Sequence, residues 1–118
     1  MAVAVDATSS ASSAGAASLT FAHTCSGSDR LLVVGVSTED AGVTGITYAG
    51  AALTSVGSRN ATFANMQMWR KIAPATGANN IVVTLPASTA VVAGGCSFTG
   101  VDQTTPLGTF ASATGATS

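Results

Sequence analysis

The chain has 118 residues, of which 8% are charged and 47% are hydrophobic, and its formal net charge at pH 7 is -1. Disordered chains combine high charge with low hydrophobicity, so this composition and length predict one folded domain, residues 1–118, with a core of its own. Four basic side chains are too few to neutralise a phosphate backbone or an anionic lipid surface. The composition therefore argues against nucleic-acid and membrane partners.

The first residues of the chain carry no recognisable targeting signal. Met1–Asp6 has neither a positively charged region nor a long apolar run, so no signal peptide is predicted. No apolar run in the sequence approaches the length of a membrane span. We therefore expect the chain to be made and folded in a cytoplasm.

The N-terminal part of the chain predicts two strands separated by a loop. Ala2–Asp6 alternates weakly between apolar and polar residues, as an edge strand does. Residues 7–18 form a Ser/Ala/Gly tract without periodicity, which predicts an irregular loop. Leu19–Cys25 alternates more clearly, with one strand face formed by Leu19, Phe21, His23 and Cys25.

The apolar run Leu31–Ser37 is predicted to be the central strand of the fold. It is rich in β-branched residues and shows no helical stripe, so burial on most of both faces is expected. The next segment, residues 43–56, predicts a hairpin with a tight turn at Ala49-Gly50, where Gly tolerates a positive φ.

The segment Phe63–Ile72 admits two interpretations. Its Met, Gln, Arg and Lys residues are good helix formers. The alternation of Met66 and Met68, and Pro74 just beyond the segment, favour a strand instead. We predict the strand because the remaining elements of the chain are strands as well.

The last part of the chain predicts two more strands and a tail. Ile81–Leu85 is a short strand that ends at Pro86, and Thr89–Thr99 is a strand softened by its two central glycines. Residues 100–118 are a polar tail, with one edge strand expected around Leu107–Ala111. Seven or eight short strands at regular spacing predict an all-β, antiparallel two-sheet sandwich.

No group of residues in the sequence has the pattern of a catalytic, metal or cofactor site. His23 is the sole histidine and shares a strand face with Phe21 and Cys25, which favours a structural role over that of a catalytic base. Glu39 and Asp40 would point to opposite faces of a strand, so they do not predict a catalytic carboxylate pair. No calcium-loop, dinucleotide or P-loop motif occurs. We therefore predict a protein that is not an enzyme and needs no cofactor.

Two aromatic residues and two cysteines are candidates for other roles. Tyr48 and Trp69, if exposed, would suit stacking on a sugar ring, although aromatic residues of a sandwich are more often core residues. Cys25 and Cys96 are interpreted as two buried thiols, because free cysteine is among the most buried residue types. The alternative is a disulfide between them, which needs the two Cα atoms within about 7 Å.

Five strings of the sequence resemble one recurring β-sandwich module. They are SLTFAHTC (residues 18–25), DRLLVVGVS (29–37), ITYAGAALT (46–54), MWRKIAP (68–74) and SFTGVDQTTPLG (97–108). The module is found in bacteriophage virion structural proteins and in bacterial surface and secreted proteins. The resemblance implies a jelly-roll-like sandwich that acts as a scaffold without a shared active site. The module continues beyond the last string with further strands, whereas this sequence stops at Ser118, so we expect neighbouring copies to complete the sheet, either by strand addition or by close lateral packing.

The low charge, the absence of a predicted signal peptide and this resemblance predict a structural protein of a phage particle. The first hypothesis is a capsid decoration (cement) protein, which would bind capsid or other virion proteins and form a homo-oligomer. It would be located in the virion and assembled in the host cytoplasm. The alternative is a carbohydrate-binding or adhesion module at the cell surface or outside the cell, with Trp69 or Tyr48 in its ligand site.

Overall fold

The computed structural model describes residues 3–39, 42–61 and 64–104. Strands make up 77% of these residues and none of them is helical, so the prediction of an all-β domain is confirmed. The seven strands are β1 (Ala4–Cys25), β2 (Leu31–Thr38), β3 (Gly45–Tyr48), β4 (Ala51–Ala52), β5 (Thr54–Ala61), β6 (Ala64–Ile72) and β7 (Gly77–Thr99).

All pairings between these strands are antiparallel and belong to one sheet that is nearly closed on itself. The hydrogen-bonded order is β4-β3-β7-β2-β6-β5, and β1 lies on the other edge of β7. Two strands share the first edge of β7, because β3 pairs with its residues 81–84 and β2 with its residues 91–98. The 23-residue strand β7 therefore joins two halves of the sheet. One half contains β3 and β4 beside residues 81–84 of β7, and the other contains β2, β6 and β5 beside residues 91–98.

The core is formed by the strand residues that alternate toward the inside of the curved sheet. Five of the eight residues of β2, the predicted central strand, are buried. One edge of β2 pairs with β6 and the other edge pairs with β7. One cluster of buried side chains joins the two halves of the sheet, including Leu32, Val34, Phe21 and Ile81. The apolar run predicted from the sequence is thus a central strand.

The prediction of an irregular loop over residues 7–18 is wrong, because this tract is part of β1. It lies opposite β7, with Ala7 facing Ser97 and Ser13 facing Val91. The pairing is interrupted by register shifts on either side of Ala16, where the strand bends. Small hydroxyl and methyl side chains occur on both faces of the tract. The hydropathy of the sequence therefore does not alternate along this strand, although the exposure of its side chains does.

The predicted end of a strand at Pro86 is also wrong, because β7 runs through it to Thr99. Pro86 is tolerated because residues 85–88 have no Cα partner in β1, β2 or β3, and a residue there needs no ladder hydrogen bond. Within the predicted tail, residues 100–104 are not in a strand. The edge strand expected around Leu107–Ala111 lies outside the described residues.

Two local predictions are confirmed. The turn between β3 and β4 is at Ala49-Gly50, and both residues have positive φ angles, 52° and 79°, as a type I′ hairpin turn requires. The segment for which a helix was the alternative is the strand β6 from Ala64 to Ile72.

Candidate functional site

Within the described residues, a chain of hydrogen bonds is centred on the buried side chain of His23. The imidazole is 2% exposed, and each of its nitrogens meets a serine hydroxyl. Nδ1 lies 2.7 Å from the Oγ of Ser9, and Nε2 lies 2.9 Å from the Oγ of Ser97, which is fully buried. Both hydrogen-bonding positions of the ring are therefore occupied inside the protein.

A carboxylate continues the chain beyond Ser97. The Ser97 hydroxyl donates to Oδ2 of Asp6 at 2.9 Å, and Ser26 donates to the same carboxylate from its backbone N–H at 2.8 Å and from its hydroxyl at 2.6 Å. Because Ser97 donates its hydrogen to Asp6, its oxygen accepts from Nε2–H of His23. Nδ1 is then the acceptor of the Ser9 hydroxyl, which assigns the tautomer. We call these four residues, Ser9, His23, Ser97 and Asp6, the imidazole network.

The pKa values of both titratable groups in the imidazole network are lowered, which favours the neutral ring of His23 and the ionised carboxylate of Asp6. Burial lowers the pKa of His23 below its ordinary value, although the charge of Asp6 opposes this, so the ring is neutral at pH 7. The pKa of Asp6 is also lowered, chiefly by the hydroxyl and the backbone N–H of Ser26 and further by Ser97. A neutral imidazole therefore lies between a hydroxyl donor and a hydroxyl held by an ionised carboxylate.

The bend of β1 brings the imidazole network together. Asp6 and Ser9 lie in the first half of this strand and His23 in the second half, while Ser97 comes from β7. Space for the contact comes from Gly95 in β7. A Cβ atom on Gly95 would lie 3.1 Å from the Oγ of Ser9 and 2.8 Å from the Cδ1 of Ile81. The only sequence signal for this arrangement is the inward parity of His23, and nothing pointed to its three partners.

The hydrogen-bonding pattern at Ser9 is the one by which a neutral imidazole activates a serine nucleophile. However, the imidazole is held by the Ser97 hydroxyl and not by a carboxylate in direct contact. The arrangement forms a polar clasp between the two halves of β1, with the imidazole of His23 and the Ser97 hydroxyl as its buried part.

Tyr48 is a core residue, so its ring does not face solvent. Its side chain is 1% exposed, and its single hydroxyl hydrogen is shared between the backbone oxygens of His23 and Gly77, at O···O distances of 2.9 and 3.1 Å. Burial is the main cause that raises the pKa of its hydroxyl. The ring also meets that of His23 edge to face, with centroids 6.2 Å apart.

Trp69 lies on the inner side of β6, half-buried against the core. Its indole N–H donates to Oε1 of Gln67 at 3.2 Å. The structure therefore does not bring Trp69 and Tyr48 together as an exposed aromatic pair.

The two cysteines are free thiols on different faces of the sheet. Cys25 ends β1 with a completely buried side chain. Cys96 is half-buried and has the opposite parity to the inward residues of β7, and burial raises the pKa of its thiol. The alternative of a disulfide between them is not present in this structure.

The outer face of the sheet half formed by β7, β2 and β6 exposes several apolar side chains. The register places Val92, Ser37 and Met66 in one cross-strand row, and Gly94, Gly35 and Met68 in the next. Val92, Met66 and Met68 are 57%, 51% and 39% exposed. None of the three strands contains an acidic residue. We call these two rows the outer face.

Comparison of the chain with protein-family models, with curated proteins and with solved structures found no match. The resemblance to a virion β-sandwich module therefore stays a prediction from the sequence. Among residues 3–39, 42–61 and 64–104 there is no helix that could span a membrane. The same residues contain no group of three or more His, Cys, Asp or Glu side chains that could hold a metal ion.

Proposed function

We propose that this chain is a non-enzymatic structural protein of a phage particle, a capsid decoration protein that binds the capsid surface and its own copies. The observation that carries the proposal is the outer face, where Val92, Met66 and Met68 are exposed on strands without an acidic residue. Contiguous exposed apolar patches on soluble proteins often mark surfaces that bind other proteins.

Packing of this face against another protein would remove the three apolar side chains from water. Each square ångström of apolar surface buried contributes about 25 cal/mol before the costs of association. Arg70 lies in the next cross-strand row, opposite Val33, at the border of this surface. Because few charges are involved, we expect binding to depend weakly on salt.

We also infer that the sheet acts as a jelly-roll-like sandwich of two layers, bent where β1 and β7 both lose their regular pairing. This is supported by the register shifts of β1 on either side of Ala16 and by the unpaired residues 85–88 of β7. It is further supported by the core cluster, in which Val34 of β2 and Ile46 of β3 belong to opposite halves of the sheet. Such a sandwich presents the outer face on the outside of one of its two layers.

The test is labelling of intact particles with an antibody against this chain. Particles induced from the strain that carries the gene should be labelled regularly over the capsid, and particles from a deletion strain should not be labelled. The triple variant Val92→Ser, Met66→Ser and Met68→Ser should fold but leave the capsid unlabelled when it replaces the wild-type chain. Capsids that never carry the wild-type chain would overturn the proposal.

The same antibody tests the alternative of an adhesion module. That hypothesis predicts labelling at the cell surface and binding to a glycan array that is lost in Trp69→Ala. Burial of the Tyr48 ring removes one of its two candidate residues, since a stacked sugar needs an exposed aromatic face. Surface labelling together with Trp69-dependent glycan binding would favour adhesion over capsid decoration.

A further inference from the structure

In the described part of the chain, strand β1 is paired along only one of its two edges. All of its cross-strand partners belong to β7, from Thr99 opposite Ala4 to Gly77 opposite Cys25. The backbone N–H and C=O groups that alternate along the second edge therefore point away from the sheet. An edge of this kind is a template on which another strand can add.

The other edges of the sheet carry the protection that natural edge strands usually have, whereas the segment Ala7–Ser13 of β1 has neither a charge nor a register shift. At one end of the sheet, β4 is only two residues long. At the other end, β5 has a bulge between Ser55 and Gly57. Short length, charge and bulges all oppose the pairing of an edge with another chain. By contrast, β1 has 22 residues, and its sequence has neither a charged residue nor a proline from residue 7 to residue 22.

One part of β1 is regular enough to form a ladder with a second strand. Ala7–Ser13 has no register shift, whereas shifts occur immediately before it and after it. Its outward side chains are exposed and short, namely Thr8, Ser10 and Ser12. Small hydroxyl side chains allow close approach and can hydrogen-bond across strands.

Two copies of this segment are complementary to each other. Antiparallel pairing about a two-fold axis at Ser10 sets Ser10 opposite its own equivalent and Thr8 opposite Ser12 of the other copy. No like charges would meet, because the segment carries no charge. The sheet half that carries the outer face would then continue from one copy into the other.

We propose that two copies of this chain pair through the free edge of Ala7–Ser13 to form one continuous antiparallel sheet. This inference deepens the proposed function and rests on it for the expectation that copies of the chain meet. The occupant of the edge is a second copy, because the edge is uncharged, regular and able to match itself.

The test uses the purified full-length chain and a single charge at the centre of the segment. Ser10→Lys places like charges opposite each other at the two-fold axis, and should weaken self-association about tenfold or more in sedimentation measurements. Thr84→Lys is the matched control, since Thr84 is exposed on β7, which is paired along both edges at that position. It should associate like the wild type.

Charge reversal provides the decisive arm of the experiment. Ser10→Glu alone should self-associate as weakly as Ser10→Lys. A mixture of the two variants should form a mixed dimer, because opposite charges then meet at the two-fold axis. Amide hydrogen exchange in residues 7–13 should slow as the wild-type concentration rises, while exchange in residues 19–25 should not. This pattern would not follow from a change in folding alone.

Three results would overturn the inference. The first is a wild-type chain that stays monomeric at all concentrations. The second is equal association of Ser10→Lys and Thr84→Lys. The third is protection of residues 7–13 that is independent of concentration, which would show that the same chain covers the edge. Each leaves antibody labelling of particles unaffected, so failure here is distinguishable from failure of the proposed function.

Discussion

The Nε2 atom of His23 lies 2.9 Å from the Oγ of Ser97, and this contact joins residues 74 positions apart in the chain. Ser97 passes the interaction on to Asp6, which lies in the same strand as His23. The two halves of the bent strand β1 are thus linked to each other through Ser97 of the neighbouring strand β7. Because every buried polar atom of this arrangement has a partner, the network adds order to the core without the cost of an unsatisfied group.

Removal of the Ser97 hydroxyl should destabilise the protein. Ser97→Ala leaves Nε2–H of His23 without an acceptor in a dry site, so we expect the free energy of unfolding to fall by about 1–3 kcal/mol. Ser18→Ala, at an exposed position of β1, is the matched control and should change it by less than about 0.5 kcal/mol. Urea denaturation measures both. Equal effects of the two variants would show that the buried hydroxyl contributes nothing.

Stability should decrease on acidification in two steps. The pKa of His23 in the folded chain is below its ordinary value of 6.5, so the unfolded chain takes up the proton more readily. The stability that the neutral ring contributes is therefore fully present above pH 6.5, and it is lost as the pH falls below that value. Asp6, with a pKa lowered from 3.8, adds a second loss below pH 3.8.

His23→Asn tests the assignment of the first step, because His23 is the only histidine of the chain. Urea denaturation at a series of pH values should show the loss between pH 7 and pH 5 in the wild type and a flat profile in the variant over that range. The loss below pH 3.8 should persist in the variant. Identical profiles between pH 7 and pH 5 would contradict the prediction.

Two glycines of the sheet should respond oppositely to the same substitution. A Cβ atom on Gly35 would have no neighbour within 4 Å, so Gly35→Ala should raise the free energy of unfolding by about 0.5–1 kcal/mol through reduced backbone entropy of the unfolded chain. A Cβ atom on Gly95 would lie 2.8 Å from Ile81, so Gly95→Ala should lower it by about 1–3 kcal/mol. Thermal or urea unfolding of the pair checks both signs, and a shared sign would refute the packing described.

The thiols should differ in reactivity. In the native protein, Cys25 is completely buried and should resist alkylation, while the half-buried Cys96, with its raised pKa, should react slowly at pH 7.5. Both should react in denaturant without a reducing agent. Mass spectrometry of the alkylated protein distinguishes the two sites. A denatured, unreduced chain that takes up no label would instead indicate the disulfide between Cys25 and Cys96.

The elements predicted from the sequence were those with large apolar side chains, either in a continuous run or alternating with polar residues. Leu31–Ser37 and Leu19–Cys25 carry large apolar residues on their inward faces, and both are strands. Residues 7–18 escaped prediction because Ser and Ala occupy both of their faces, so their strand conformation comes from pairing with β7 and not from local preference.

The candidate site was less predictable than the fold. The position of His23 on an apolar strand face indicated a structural role, but its partners depend on the bend of β1. Ser9 lies in the tract that was expected to be a loop, and Ser97 is distant in sequence. Contacts of this kind depend on long-range strand register, which no local pattern in the chain specifies.

The pairing of the first strand with the last one described also determines when the fold can form during translation. Ala4 lies opposite Thr99, so β1 waits for its ladder until β7 has left the ribosome. At roughly 5–20 residues per second, that delay is on the order of ten seconds. During it, the residues of β1, which carry no charge from residue 7 to residue 22, have no partner strand, so we expect the nascent chain to depend on chaperones.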